Sequence, residues 1–401
     1  MALLKKLTLL FIFPLFVMVS QKAWAVDTCS SSDLQACVDF YDKKVSETKG
    51  QSDTLSGEIS KLDNQISLTQ SRINLTENKL SRIGDEMASI SSKISLINGS
   101  LNHTSEILLN RIKSNYKINL DDRMLYLMTA KNFNAFVSRA TYLQIVQRHD
   151  QELLEQMSLT KKNYSDQKDL LIDVKKKQED LKKQLNAYKV QMNEQKKEKN
   201  RLLEITQNNE VKYRQLLSQA QAQLAAFKGF VTNLGGASLL SNQTSCDDWG
   251  CYYNQRDSQW GTWGIGRSRD SMAEYGCLVT SSAMILSHYG HRVTPGQVAR
   301  TNDAFFANTA YMLLSPWSID GVTFSRTNYG RNLSKLDEEL AAGRPAIVGI
   351  GAGPDHFVVI RSKDGSDYKM YDPFVAGAKD ISFKSKYAIS SISVVNVVRV
   401  N

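Results

Sequence analysis

The sequence predicts two unlike parts: a long helical arm folded as an antiparallel coiled-coil hairpin and, after it, a globular α+β domain. The 401 residues exceed the length of one ordinary domain. All five Trp and all six Pro lie either in the first 25 residues or from Trp249 onward. The Lys-, Gln- and Leu-rich stretch between them is typical of continuous helix, and the Gly- and aromatic-rich remainder is typical of a packed domain.

Residues 1–25 have the pattern of a secretory signal peptide. Two lysines precede an apolar run from Leu7 to Val19, and Ala23-Trp24-Ala25 offers the small residues of a cleavage site before Val26. A retained N-terminal anchor is the alternative, but about 13 apolar residues fall short of the roughly 20 that span a bilayer. We therefore expect a secreted protein of the periplasm or the cell exterior, without a further membrane span.

Export to an oxidising compartment permits disulfides, and the five cysteines divide by spacing. Two close pairs each flank a short polar segment: Cys29 with Cys37, and Cys246 with Cys251. Both pairs are candidate disulfides, although spacing does not prove connectivity. Cys277 is left over, and such a thiol is either a buried structural residue or a reactive one.

Residues 26–228 are predicted to form the hairpin, because apolar residues recur at alternating spacings of four and three. The first seam contains Leu55, Ile59, Leu62, Ile66, Ile73, Leu80, Ile83, Met87, Ile90, Ile94, Ile97 and Leu101. The second, less regular seam runs from Leu143 through Val174 and Leu181 to Tyr213 and Leu216. Two comparable seams separated by a break predict two helices packed antiparallel.

Near residues 113–142 the heptad period fails among closely spaced apolar and aromatic residues, which predicts a small helical tip. If these side chains pack on one another, the tip is only a folded cap. If part of them is exposed, the tip is a docking surface.

The net charge of +9 falls largely in the Lys-rich segment 161–201. Glu and Asp alternate with these lysines, as on an ordinary exposed helix, although contact with anionic lipid or cell-wall polymer is the alternative. No pattern indicates nucleic acid.

An exported helical hairpin with a tip motif such as Tyr116–Asp150 resembles the coiled-coil region of bacterial murein hydrolases and hydrolase activators. In those proteins the coil docks on a division-linked membrane transporter and holds the hydrolase domain inactive until a signal arrives. The resemblance covers residues 30–228 and implies a membrane-protein partner. Residues 229–245, which include Gly235-Gly236, are predicted to be a flexible linker that lets the arm and residues 246–401 move apart.

Cys277 is the candidate nucleophile of residues 246–401. Helical periodicity follows Gly276, and Gly290 is a helix stop, so Cys277 is expected at a helix N-terminus. There the macrodipole and the free backbone N–H groups favour the thiolate, which is the nucleophilic form.

His356 is the candidate base. It opens a strand-like segment directly after a turn, from which its ring can face a helix N-terminus across a cleft. His288 and His291 are expected at the far end of the Cys277 helix, about 16 Å away at a rise of 1.5 Å per residue. That distance excludes them as the base.

Asp372 is the candidate for orienting the imidazole, because it ends the next strand-like segment after a predicted hairpin turn at residues 363–366. Asp355 is the competing candidate, but a neighbour of His356 on a strand points to the opposite face. Gln255 can supply a side-chain N–H to an oxyanion hole, together with the backbone N–H of Cys277.

The domain resembles papain-like cysteine peptidases of the bacteriocin-leader-processing type, in the free-standing branch that has no transporter attached. The matching segments, in order, are Asn254–Asp257, Gly276-Cys277, Asp355–Val359 and Tyr371–Pro373. The resemblance spans nearly all of residues 250–401 and implies a papain-like α+β fold. It also implies Cys277 as nucleophile, His356 as general base and acid, Asp372 as orienting residue and Gln255 as oxyanion donor. The spacing from Gln255 to Cys277 is longer than in transporter-attached members, so the loop through Trp260 must fold back.

Together the two parts predict an exported cysteine peptidase or amide hydrolase that forms an acyl-thioester on Cys277 and acts on peptidoglycan peptides at the cell envelope. The alternatives are a protease of exported polypeptides and a catalytically silent binding module. A further possibility is that the arm covers the cleft and makes the full-length protein latent. The sequence contains no metal-ligand spacing and no phosphate-binding Gly loop, so no cofactor is expected.

Overall fold

The computed structural model describes residues 29, 33–48, 52–117 and 120–401, with the backbone alone for 115–117 and 120–123. The predicted signal peptide lies outside these residues. The helices are α1 (Leu34–Glu47), α2 (Leu55–Lys117), α3 (Leu120–Met128), α4 (Phe133–Thr206), α5 (Glu210–Asn233), α6 (Met272–Tyr275), α7 (Cys277–His288), α8 (Pro295–Ala299) and α9 (Leu333–Ala341). The strands are β1 (Ser245–Asp247), β2 (Gly250–Tyr252), β3 (Trp317–Ile319), β4 (Val322–Asn328), β5 (Ala346–Ile350), β6 (His356–Asp364), β7 (Asp367–Tyr371), β8 (Ile381–Ser382) and β9 (Ile392–Val400). The expected order, a region of long helices followed by a sheet-rich domain, is confirmed.

Helices α2 and α4 contain 63 and 74 residues and are therefore about 95 and 110 Å long. Side chains join them at matched positions: Asp63 with Lys199 at 2.6 Å, Thr69 with Gln195 at 2.9 Å, Glu77 with Lys189 at 3.0 Å, and Arg111 with Asp150. The residue number rises along one helix as it falls along the other. The contacts of α2 with α4 thus run in opposite chain directions.

Large apolar side chains are exposed around α3 and the start of α4. Phe133 and Met128 expose 78% and 73% of their surface, and Leu125, Val137 and Tyr142 are also exposed. This exposure differs from the interpretation of the tip as a cap whose side chains pack on one another.

The second predicted seam is interrupted. Gln207 and Asn208 adopt the left-handed conformation, with φ of 54° and 51°, and the side chain of Asn209 caps the next helix. Tyr213 and Leu216 therefore belong to the separate helix α5 rather than to the arm's second long helix. Helix α5 also continues to Asn233, beyond the expected boundary at residue 228.

The segment predicted as a free linker is hydrogen-bonded to the sheet-rich domain. The Leu240 N–H donates to Arg256 O at 2.8 Å, and the Ser258 N–H donates to Leu240 O at 2.7 Å. The Gln243 N–H donates to the Asp257 carboxylate at 2.9 Å. These bonds hold residues 240–243 against the domain, which differs from the expected flexible connection.

Within residues 120–401, which are described without a gap, seven strands form one antiparallel sheet in the order β3-β4-β9-β5-β6-β7-β8. Alternate residues of β6 point to opposite faces. Phe357 and Val359 pack in the core beneath α7, whereas Val358 and Ile360 pack in a second core that includes Leu336 of α9.

The base of the arm packs on the sheet-rich domain. Leu62, Leu202 and Tyr213 share a buried cluster with Phe306 and Leu313 of the loop before β3. Ion pairs surround it: Arg267 with Glu198 at 3.1 Å and Arg201 with Asp303 at 2.9 Å. Arm and domain are thus in direct contact, in contrast to the separation that the predicted linker would allow.

None of the helices in the described ranges has both the length and the hydrophobicity that crossing a bilayer requires.

Candidate active site

Cys277 is the first residue of α7, as the sequence predicts. A short helix, α6, ends just before it, and a Cβ at Gly276 would collide with the Met272 carbonyl oxygen. Glycine therefore allows the close turn that places Cys277 at the beginning of α7. Cys277 is a free thiol and is 3% exposed. Its backbone N–H has no acceptor within its own helix because it lies in the first turn.

His356 is the first residue of β6, and Asp372 directly follows β7. The two strands pair antiparallel, with Val359 opposite Tyr371, which brings the end of β7 beside the start of β6. The His356 Nε2 and Asp372 Oδ1 atoms are 2.8 Å apart. The bond to Asp372 leaves Nδ1 as the nitrogen available to Cys277, and both side chains are buried.

His356 and Asp372 stabilise each other in their charged forms. Burial alone would lower the pKa of His356, but the charge and hydrogen bond of Asp372, followed by Cys277, raise the pKa to about 10. Burial alone would raise the pKa of Asp372, but His356, Tyr387 and the Phe374 N–H hold that pKa below its usual range. A protonated imidazole beside an ionised carboxylate is the favoured state at neutral pH.

The carboxylate of Asp372 is bonded at both oxygens. Oδ1 also accepts from the backbone N–H groups of Phe374 at 2.8 Å and Val375 at 3.2 Å. Oδ2 accepts from the hydroxyl of Tyr387 at 2.7 Å. The sequence gives no signal for Tyr387, because a single tyrosine in a Ser- and Lys-rich loop forms no recognisable pattern.

Gln255 lies between the Asp372 loop and the segment before Cys277. Its backbone N–H donates to Pro373 O at 2.7 Å, and its side-chain Nε2 donates to Ala273 O at 2.8 Å. One Nε2 hydrogen thus remains for another acceptor. The side-chain Oε1 of Gln255 is buried and has no hydrogen-bond partner among the described residues.

The loop between Gln255 and Cys277 folds back as the position of Gln255 requires. The Trp260 Nε1 donates to Asn254 O at 2.8 Å, and the Met272 N–H donates to Trp263 O at 2.8 Å. Trp260 and Trp317 are buried in the core, so both side chains have a packing role.

The competing residues lie elsewhere. His288 is at the last position of α7, where its Nδ1 is 2.8 Å from Trp249 O. His291 follows the end of that helix. It is Asp372, and not Asp355, that is hydrogen-bonded to His356.

The structure pairs the cysteines that the spacing suggested. Cys29 and Cys37 form a disulfide with their Cα atoms 5.5 Å apart. Cys246 and Cys251 form the second, across the β1–β2 hairpin.

Helix α5 packs against the site. The ring of Phe230 stacks on the ring of His356, with centroids 4.3 Å apart. Phe227, which is 3% exposed, meets the ring of Phe357 edge-on at 5.9 Å. These contacts were not predicted, since both phenylalanines lie on an apolar helix face that sequence cannot distinguish from the seam of the arm.

Among the described residues, no group of three or more His, Cys, Asp or Glu side chains is placed to hold a metal ion.

One comparison with known proteins agrees with a peptidase site. No curated protein and no solved structure matches the chain. Residues 251–390 match the family model described as "Peptidase_C39 like family", and this match supports a papain-like cysteine peptidase domain in the C-terminal part of the sequence.

Proposed function

We propose that the sheet-rich domain is a thiol-dependent amide hydrolase with Cys277 as nucleophile, His356 as general base and acid, Asp372 as orienting residue and Gln255 as oxyanion donor. The observation that carries the proposal is the hydrogen bond of 2.8 Å between His356 and Asp372 beside a free thiol at the start of α7. A thiolate paired with an imidazolium is the reactive form of such a site.

In the proposed reaction the Cys277 sulfur attacks the carbonyl carbon, and a C–S bond forms. The resulting oxyanion accepts hydrogen bonds from the Cys277 N–H and the remaining Gln255 Nε2 hydrogen. His356 gives its proton to the leaving nitrogen as the C–N bond breaks. Water then attacks the thioester, one of its protons passes to His356, and the acid product leaves Cys277 as the thiolate.

We also propose that the full-length protein is latent. Phe230 lies against the imidazole face, and Cys277, His356 and Gln255 are all at most 3% exposed. A substrate carbonyl cannot approach a buried sulfur, so α5 must leave before a peptide binds. We propose that α2 and α4 pack antiparallel as a coiled-coil hairpin and that the exposed tip docks on a membrane protein. A conformational change of that partner would then move the arm and displace α5 from the site.

As substrate we propose peptidoglycan peptides at the cell envelope. The support is the resemblance of the arm to coiled coils of murein hydrolases and the two disulfides, which fit an oxidising compartment outside the cytoplasm. Cleavage of exported polypeptides is the second candidate. The aromatic rings of Phe227 and Phe230 favour it, because a surface that accepts them suits a substrate with large apolar side chains.

The test uses the full chain with Phe230→Ala to open the site, beside Phe230→Ala with Cys277→Ala. Each is incubated with purified peptidoglycan and, separately, with an unfolded polypeptide, and the products are identified by mass spectrometry. Cys277-dependent release of stem peptides would establish a wall hydrolase, and Cys277-dependent polypeptide fragments would establish a protease. Absence of both, in a chain whose Cys277 reacts readily with iodoacetamide, would contradict hydrolysis and favour a silent binding module.

A further inference from the structure

The Asp372 carboxylate is held from two sides. Oδ1 accepts from the His356 ring, and Oδ2 accepts from the hydroxyl of Tyr387 at 2.7 Å. Asp372 is fully buried. Bonds at both oxygens resist rotation of the carboxylate about its Cβ–Cγ axis. Without the hydroxyl, Oδ2 would be a buried anionic oxygen that has lost a hydrogen bond, which is costly.

The ring of Tyr387 is anchored independently of Asp372. It packs against the buried ring of Phe383 at 5.6 Å, and its backbone N–H donates to Phe383 O at 2.9 Å. Two short 3-10 turns, Phe383–Ser385 and Ile389–Ser391, flank the residue. Packing of the Tyr387 ring therefore fixes the position of its hydroxyl group.

We propose that Tyr387 is a positioning residue of the site: its hydroxyl keeps Asp372 ionised and in the rotamer that turns His356 Nδ1 toward Cys277. Only the effect of Tyr387 on catalysis rests on the proposed function; its effect on Asp372 does not. A role limited to filling space would need the ring and not the hydroxyl.

The electrostatics agree with this geometry. Burial, followed by the charge and hydrogen bond of Asp372, raises the pKa of Tyr387, so the phenol remains a donor at all ordinary pH values. The Tyr387 bond is in turn one of the causes that lower the pKa of Asp372. The titratable groups that influence this carboxylate and hydroxyl are His356, Cys277, Asp355, Tyr252 and Arg256.

The test is an NMR titration of the full chain with carboxyl-labelled Asp, in which Asp372→Asn assigns the signal. Tyr387→Phe keeps the packed ring and is expected to raise the pKa of Asp372 by about one unit, since a donor to the charged form is lost. The matched control is Tyr368→Phe. In the unsubstituted chain the hydroxyl of Tyr368 donates to the Asp337 carboxylate at 2.9 Å. Tyr368→Phe should leave the titration of Asp372 unchanged.

An unchanged Asp372 titration in folded Tyr387→Phe would overturn the proposal. If that variant does not fold, the hydroxyl proton of Tyr387 is observed by NMR in the unsubstituted chain and in Asp372→Asn. A hydrogen bond to the carboxylate is expected to place this proton signal downfield in the unsubstituted chain and less far downfield in Asp372→Asn, and identical signals in both would overturn the proposal.

Activity is a separate readout. In the Phe230→Ala chain, Tyr387→Phe should shift the acid limb of the pH profile of kcat/KM to higher pH, because Asp372 then becomes protonated at a higher pH. If Phe230→Ala hydrolyses nothing, the proposed function fails, whereas the NMR titration still decides the role of Tyr387.

Discussion

The ring of Phe230 lies flat on the ring of His356, with the centroids 4.3 Å apart and the planes 9° from parallel. Phe230 also meets Phe374 edge-on at 5.5 Å, so one aromatic side chain of α5 bridges the imidazole and the loop after Asp372. Helix α5 is held at its other end by the arm: Glu210 accepts from the Leu55 N–H at 2.9 Å, and the Tyr213 hydroxyl donates to Ser52 O at 2.6 Å. The closure of the site is thereby joined to the base of the arm.

The first prediction is that Phe230→Ala opens the site. Loss of a half-buried aromatic side chain and its stacking contact removes roughly 3 kcal/mol from the closed state, which increases the open population about 100-fold. Alkylation of Cys277 by iodoacetamide, measured on the full chain by mass spectrometry, should accelerate accordingly. Cys277 is the free thiol, so the two disulfides do not interfere.

The matched control for that experiment is Phe133→Ala. Phe133 is 78% exposed near the tip and far along the chain from the site, so its removal should leave the alkylation rate unchanged. Equal rates for the unsubstituted chain and Phe230→Ala would contradict closure by α5.

The second prediction separates the charge of Asp372 from its orienting role, in the Phe230→Ala chain. Asparagine at position 372 can still accept from His356 Nε2–H, so Asp372→Asn keeps the orientation but loses the charge, and kcat/KM should fall about tenfold. Asp372→Ala loses both, and the fall should be about 100-fold or more. Steady-state hydrolysis measures both.

The corresponding control is Asp337→Asn, at a carboxylate bonded to Tyr368 and Lys363 instead of to the site. It should leave kcat/KM unchanged. Full activity of Asp372→Ala would remove Asp372 from the mechanism.

The third prediction concerns Gln255. If its free Nε2 hydrogen stabilises the oxyanion, Gln255→Ala should lower kcat about 100-fold with little change in KM, because the bond is made in the transition state. Gln255 also donates to Ala273 O, so the melting temperature must be measured alongside. The matched control is Gln259→Ala, at an exposed position of the same loop, which should retain full kcat. A rise in KM with unchanged kcat would assign Gln255 to substrate binding.

The sequence was informative wherever a residue's position follows from local structure. Gly276 before a helical run places Cys277 at the start of α7, and a turn before an apolar strand places His356 at the start of β6. Asp372 follows because β6 and β7 form a hairpin with a short turn. In each of these cases the neighbours that set the position are close in the sequence.

The sequence was uninformative where the contact is long-range. Phe230 is 126 residues from His356, and nothing in the spacing of apolar residues on α5 tells which surface they cover. The break at Gln207 and Asn208 cannot be predicted for another reason: neither residue is a glycine, so the left-handed turn has no strong sequence signal. The exposure of the apolar side chains at the tip is likewise unpredictable, because it depends on which tertiary contacts they lack.

The last prediction is the pH dependence of stability. The folded pKa of His356, about 10, lies above its usual 6.5, so this contribution is complete below pH 6.5 and is lost as the pH rises through about 10. The folded pKa of Asp372 lies below its usual 3.8, so its contribution is complete above pH 3.8 and is lost as the pH falls through the lowered value. The free energy of unfolding of the unsubstituted chain should therefore exceed that of Asp372→Asn by the largest amount between about pH 4 and 6.5. The excess should shrink outside this window, on the alkaline side toward pH 10.

Urea unfolding followed by Trp fluorescence measures this difference in the free energy of unfolding, since Trp249, Trp260, Trp263 and Trp317 all report on the sheet-rich domain. An excess that stays constant through pH 10 would contradict a protonated His356 in the folded protein.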